Sequence, residues 1–381
     1  MRLFKWMVVA SWLFLLSCEP GRQPVSVQTT PATSVEVLSK GAAEIVPGEF
    51  IVVFKDDVVD VDGLVTQFAR KHNVAAQFVY KHSIKGFSGA LPAAVVAALK
   101  TDPRVKYVLP DYRISVGPPP GAGPGGSEGQ VVPWGVTRVG GPKDGTGKTA
   151  WVIDTGIDLD HPDLNVDVSR SANFVPRGKD SPDDGNGHGT HVAGTIGAID
   201  NTIDVVGVAA NATLVAVRVL DNSGSGQYSW VIAGVDYVAQ NASPGDVANM
   251  SLGGPPHDAL DDAVRAAADK GILFAIAAGN DGDDANNYSP ARVEYTNVYT
   301  VSAIGEDDCL ASFSNWGNPP IEFAAPGVGI LSTKKGGGTT TLSGTSMAAP
   351  HVAGILLLGP VNSDGTACND PDGNPDPIAH F

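Results

Sequence analysis

Between residues 48 and 117 the apolar positions fall into six short runs whose period changes in a fixed order. Residues 50–54 (FIVVF) are β-branched and aromatic, as in a buried strand. Val61, Leu64, Val65 and Phe68 recur at three- and four-residue steps, which predicts a helix over 61–71. Residues 76–80 and 86–91 read as strands, 93–100 as a second helix and 105–109 as a closing strand. That order is the order of a small ferredoxin-like α+β sandwich. From 130 to 360 the pattern is different. The runs TAWVID, TLVAVRVL, VANMSL and ILFAIAAGN do not alternate, and they are separated by the helical stretches HVAGTIGAI, WVIAGVDYVAQ and LDDAVRAAADKG. Continuously apolar strands are those buried on both faces of a parallel sheet, so an α/β domain with helices outside is expected here.

Charge separates the same two modules. Residues 48–117 carry nine Lys or Arg and seven Asp or Glu, whereas 130–360 carry twelve and twenty-six. Between them GPPPGAGPGGSEG, 117–129, disfavours helix and strand interiors and reads as an exposed linker. The net charge of −16 over 381 residues argues against a nucleic-acid partner, because phosphate contacts need clustered Lys and Arg. Residues 361–381 read as a polar, turn-rich tail.

The N-terminus is an address. Arg2 and Lys5 precede an apolar stretch of about ten residues and then Ser17-Cys18, the plan of a secretory signal over 1–18 and too short for a stable membrane span. The run LLSC resembles the bacterial lipoprotein signal, which implies a lipid on Cys18 as the only membrane attachment. Residues 19–47 read as a tether without order. Cys309 and Cys368 would then lie in an oxidising compartment, where they can pair or remain free.

Open α/β sheets place their sites at the carboxyl ends of strands. Asp154 ends TAWVID, a place where a cap or turn residue is common. His188 lies in DGNGHGTHVAG, between glycines that allow close backbone approach, and His191 is the residue expected to be structural. Ser346 lies in LSGTSMAAPHVAGILLL with a helix starting at it.

Taken together, in the order Asp154, His188, Ser346, these segments resemble the subtilisin-like serine peptidases, in particular the proteinase K branch. The resemblance runs from about residue 130 to 358. It implies a subtilisin-like parallel sheet with flanking helices, preceded by an inhibitory propeptide domain at 48–116 and followed by a peptidase domain at 130–360. It also implies a serine endopeptidase working through an Asp154-His188-Ser346 triad, with Asn280 in the oxyanion hole. Ser223, Gly224 and Ser225, and Ser251, Leu252 and Gly253, match the segments that pair with a peptide substrate. Ala277, Ala278 and Gly279 match the wall of the pocket for the residue before the scissile bond. No cofactor is implied for the chemistry. Glu322 aligns with a family position that binds structural calcium, and Asp370, Asp372, Asn374 and Asp376 alternate as in a calcium loop, although a solvated acidic tail reads as well. The partners implied are protein or peptide substrates and the chain's own propeptide. A monomer at or beyond a bacterial cell envelope is expected. A lipase-type hydrolase would need G-x-S-x-G around the nucleophile, and Ser346 sits in GTSMA.

Overall fold

The computed structural model describes residues 44–116, the backbone of 123–124, and 129–381. The secretory signal, Cys18 and most of the tether and the linker lie outside the described residues.

In the first module the strands Ile45–Phe54, Phe78–Tyr80, Gly86–Ala90 and Val105–Ser115 form an antiparallel sheet in the order fourth, first, third, second. The helices Val61–His72 and Ala93–Lys100 pack Leu64, Val65, Phe68, Val96 and Leu99 against Val52, Phe54 and Phe87. Asp60 caps the first helix by accepting from Gly63 N, and Asn73 ends it in a left-handed conformation. The closing strand continues to Ser115, six residues past the expected end. The extension has a partner in the second module, where Arg113, Ile114 and Ser115 pair antiparallel with Gln227, Gly226 and Ser225. Local periodicity carries no signal for a partner more than a hundred residues away.

The second module is built on a nine-stranded sheet. From one edge its order is Asn362–Thr366, Pro377–His380, Ile321–Pro326, Val298–Ile304, Leu273–Ala277, Val247–Met250, Thr149–Asp154, Thr213–Arg218 and Ala172–Asn173, parallel throughout except for the first pair. Both faces are covered. Ala150 and Val152 face a cluster with the helices His188–Gly197 and Thr345–Leu358. Trp151 and Ile153 face the helices Tyr228–Asn241 and Asp258–Ala268. This two-sided burial is why TAWVID carries no polar alternation.

The expected irregular tail is instead a hairpin. Asn362–Thr366 pairs with Pro377–His380, which joins the sheet with Ile378 opposite Ala324 and buries Ile378 and Ala367 against Ile304. Cys309 and Cys368, 59 residues apart, are disulfide-bonded at its root. A bridge closing such a loop contributes on the order of 2–4 kcal/mol. Arg138 ties the same corner down through Asp308 and Asp364. A polar sequence folds here because the sheet edge supplies the backbone partners and the bridge limits the entropy lost.

Candidate active site

Three adjacent parallel strands end on the same side of the sheet. Thr149–Asp154 ends in Asp154, Val247–Met250 is followed by Ser251, and Leu273–Ala277 leads to Asn280. Asp154 is fully buried, and its carboxylate accepts from Thr155 N at 2.6 Å and lies 2.8 and 2.9 Å from His188 Nδ1. His188 opens a helix reached through Gly187, whose φ of 113° is a left-handed conformation that glycine adopts freely. The next residue must also be glycine. A Cβ at Gly189 would come within 2.1 Å of Gly156 O, so the helix and the strand end approach as closely as they do only with a bare backbone. Burial opposes a charge on the His188 imidazole, and the Asp154 carboxylate more than offsets it, so the ring titrates above the ordinary histidine range.

Ser346 stands in the first turn of Thr345–Leu358, which packs beside the His188 helix over the sheet. Pro350 lacks the N–H that would bond Ser346 O within the helix. Ser251 replaces it, since its hydroxyl donates to Ser346 O at 2.7 Å while Ser346 Oγ donates to Ser251 O at 3.1 Å. Among the described residues no hydrogen bond joins Ser346 Oγ to His188, and engaging the ring requires Oγ to leave Ser251. Asn280 Oδ1 accepts from both Thr345 N, 2.8 Å, and Thr345 Oγ1, 3.0 Å, so Nδ2 is the end of the amide left to donate outward. Asn315, which the sequence did not single out, fixes this corner. Its Nδ2 donates to Ala278 O, its Oδ1 accepts from Asp281 N and Asp283 N, and a Cβ at Gly279 would lie 2.3 Å from its Nδ2.

His191 has the structural role expected of it. Its Nε2 contacts Ile330 O and Thr340 O, and burial drops its pKa to about 3, so it stays neutral.

Residues 145–359 match the subtilase family, peptidase S8, and residues 49–116 match peptidase inhibitor I9. The chain belongs to the subtilase family. A subtilisin-like protease 1 from Arthroderma otae is 38% identical over 354 residues, covering 85% of this chain and 70% of that protein. An alkaline serine exoprotease A from Vibrio alginolyticus is 44% identical over 305 residues, covering 77% of this chain and 55% of that protein. The crystal structure of a cold-adapted subtilisin-like serine proteinase, 47% identical, superposes with a TM-score of 0.54 over 59% of this chain and 83% of that one. The chain is a subtilisin-like serine protease with an I9 inhibitor module, and the chemistry of its family needs no cofactor.

In this subtilase the I9 module lies against the segments that sequence resemblance assigns to substrate. Beyond the pairing of its last strand with Ser225–Gln227, Val116 N donates to Gly224 O at 2.9 Å. Ser223 is exposed and hydrogen-bonded to Asp221. Gly254, one residue past the expected segment, takes the close approach, because a Cβ there would meet Ile114 Cγ2 at 2.9 Å. Gly253 is half-buried against Ser289, whereas Leu252, Ala277 and Ala278 bury their side chains in core clusters and offer a peptide only backbone.

The I9 module is docked by hydrogen bonds more than by its charge. Asp111 accepts from Ser229 N at the start of the helix Tyr228–Asn241. Asp236, farther along that helix, accepts from the N–H groups of Lys81, His82 and Ser83 and from Ser83 Oγ. Tyr80 OH donates to Ser229 O, and His257 Nε2 bonds Pro110 O. Among the described residues a single ion pair crosses the boundary, from exposed Lys106 to half-buried Asp262, which also accepts from Tyr107 OH. Such a pair contributes about 1 kcal/mol at most, against about 1.5–3 kcal/mol for each hydrogen bond to a buried carboxylate.

The metal candidates do not converge. Among the described residues no three His, Cys, Asp or Glu side chains are placed to hold a metal ion. Glu322 Oε2 accepts from Thr300 N at 2.6 Å, and burial pushes its carboxyl up to about 8. Asp376 is fully buried, accepts from Ser302 Oγ through one oxygen, leaves Oδ1 without a partner, and is pushed up to about 7 by burial. Asp370 and Asp372 spend their carboxylates on loop N–H groups, and Asn374 donates to Asn318 O.

Proposed function

We propose that this chain is the self-inhibited precursor of an extracytoplasmic serine endopeptidase that uses Asp154, His188 and Ser346. The observation carrying this reading is the buried Asp154–His188 pair at the end of a parallel strand, with Ser346 heading the helix packed beside it. In this reading Asp154 holds Nδ1–H, so Nε2 is free to take the proton of Ser346 Oγ as that oxygen attacks the peptide carbonyl. Asn280 Nδ2 and Ser346 N stabilise the oxyanion. His188 then returns the proton to the leaving amine, and water hydrolyses the acyl-enzyme. Ser223, Gly224 and Ser225 together with Ser251, Leu252 and Gly253 flank the extended substrate through backbone, as Ser225–Gln227 does the inhibitor strand. Hydrolysis of an internally quenched peptide by the purified chain, stopped by phenylmethylsulfonyl fluoride, is the expected result. Hydrolysis insensitive to that reagent would overturn it.

The I9 module with its tether is the inhibitory propeptide, and cleavage between about residues 114 and 129 separates it from the peptidase domain. With a lipid on Cys18 that cut converts a membrane-bound precursor into a soluble enzyme. Fractionation of expressing cells tests this: the peptidase domain of the wild type is expected in the soluble fraction, and the Cys18→Ala precursor is expected to leave the membrane. A Cys18→Ala precursor that still sediments with membranes would remove the lipid.

Calcium enters this reading only as a stabiliser of the 370–376 loop, where Asp376 Oδ1 is a buried acceptor without a partner. Excess chelator is then expected to lower Tm without changing kcat/KM below the transition, and an unchanged Tm would eliminate the ion. Glu322 answers separately. Its folded pKa lies above the unfolded one, so its contribution is full below about pH 4.5 and is lost as pH rises toward 8. Glu322→Gln should therefore raise Tm at pH 8 and not at pH 4. A fall at pH 8 that chelator reproduces in the wild type would make Glu322 a ligand.

A further inference from the structure

A second carboxylate lies behind the Asp154–His188 pair. Asp184 is 1% exposed and takes five hydrogen bonds. Its Oδ1 accepts from Thr155 Oγ1 at 2.9 Å and from Asn186 N and Gly187 N, both at 2.8 Å. Its Oδ2 accepts from Thr190 N at 3.0 Å and Thr190 Oγ1 at 2.6 Å. Among the described residues no Lys or Arg pairs with it, so five neutral donors hold the carboxylate. Thr155 follows Asp154 in the chain, and its Oγ1, besides donating to Asp184, accepts from Gly189 N, the residue after His188. Thr190 Oγ1 in turn accepts from Asp158 N, on the far side of the Asp154 turn. The strand end that carries Asp154 and the helix start that carries His188 are thus joined through one buried anion.

We infer that Asp184 is a positioning residue for the catalytic base: it latches the Asp154 turn to the His188 helix and adds a fixed negative charge behind the imidazole. This rests on the triad reading above. Two consequences are separable. As a latch, Asp184 fixes the distance and angle between the Asp154 carboxylate and Nδ1. As a charge, it favours the imidazolium that forms when Ser346 gives up its proton, in the same direction as Asp154. The other charged or titratable groups around the ring are few. Asp154 is its direct partner, His191 is neutral, Asp158 turns its carboxylate to Gly336 N, and exposed Lys335 lies over Gly187.

A merely structural residue would lower activity at every pH alike. Asp184 should also move the acid limb of kcat/KM, which reports proton loss from His188 in the free enzyme. In self-processed Asp184→Asn the limb is expected at lower pH than in the wild type, with the plateau down by about tenfold or more. Asp184→Glu should return the limb toward its wild-type position. Thr190→Val, which removes one of the five donors and leaves the charge, should lower the plateau with the limb in place. An Asp184→Asn limb that coincides with the wild type, or a Thr190→Val limb that moves as far, overturns the inference. If Asp184→Asn does not process itself, the His188 ring resonances of the Ser346→Ala precursor can be titrated with and without Asp184→Asn. The same downward shift is expected, and identical titrations overturn the proposal. His188→Ala separates the two levels, because activity surviving that change would overturn the triad reading, whereas its loss beside an unmoved Asp184→Asn limb overturns only the role of Asp184.

Discussion

Replacing Ser346 by alanine is expected to lower peptide hydrolysis by at least about 10⁴-fold and to leave the chain uncut in the linker. The fold should survive, because Ser346 is nearly buried, alanine fits, and the bond from Ser251 Oγ to Ser346 O uses backbone. Only the donation from Ser346 Oγ to Ser251 O is lost. Intact-mass measurement and a peptide assay read both effects at once. A Ser346→Ala chain processed and active like the wild type would show that another group is the nucleophile.

Asn280→Ala is expected to lower kcat by about 10²–10³-fold with little change in KM, since a donor aimed at the oxyanion acts only once negative charge has developed. The side chain is exposed and its Oδ1 bonds serve Thr345, so some local loosening of the Ser346 turn accompanies the lost donor. Asn280→Asp separates the two. It keeps the acceptor for Thr345 but has no Nδ2 to donate, and it should lose kcat at least as severely. A kcat retained in Asn280→Asp would withdraw Asn280 from the oxyanion hole.

Most of the architecture could be read from the sequence, because the strands of a doubly covered sheet are continuously apolar and their helices keep a period near 3.6. Thr149–Asp154 and Ala93–Lys100 fall where the pattern put them. The failures share a cause. The extension of Val105–Ser115 and the tail strand Pro377–His380 are set by partners distant in the chain, Ser225–Gln227 and Ile321–Pro326, and neither has an apolar period of its own. In the site, Asp154, His188 and Ser346 stand out by their motifs, whereas Asp184 and Asn315 do not, since an Asp before a glycine, or an Asn after a serine, reads locally as a turn residue. What distinguishes them is convergence: five donors on Asp184 from four residues, and three backbone groups on Asn315. Asp111 and Asp236 are of the same kind, isolated acids that accept from donors in the other module.

If Ser346 is the nucleophile and His188 its base, an active-site reagent should find Ser346 alone. Treating the self-processed enzyme with a fluorophosphonate and mapping the adduct by peptide mass tests it directly. One adduct is expected, on Ser346, formed in parallel with loss of hydrolysis and at a rate that collapses in His188→Ala. An adduct on another residue, or complete loss of activity with Ser346 unmodified, would contradict it.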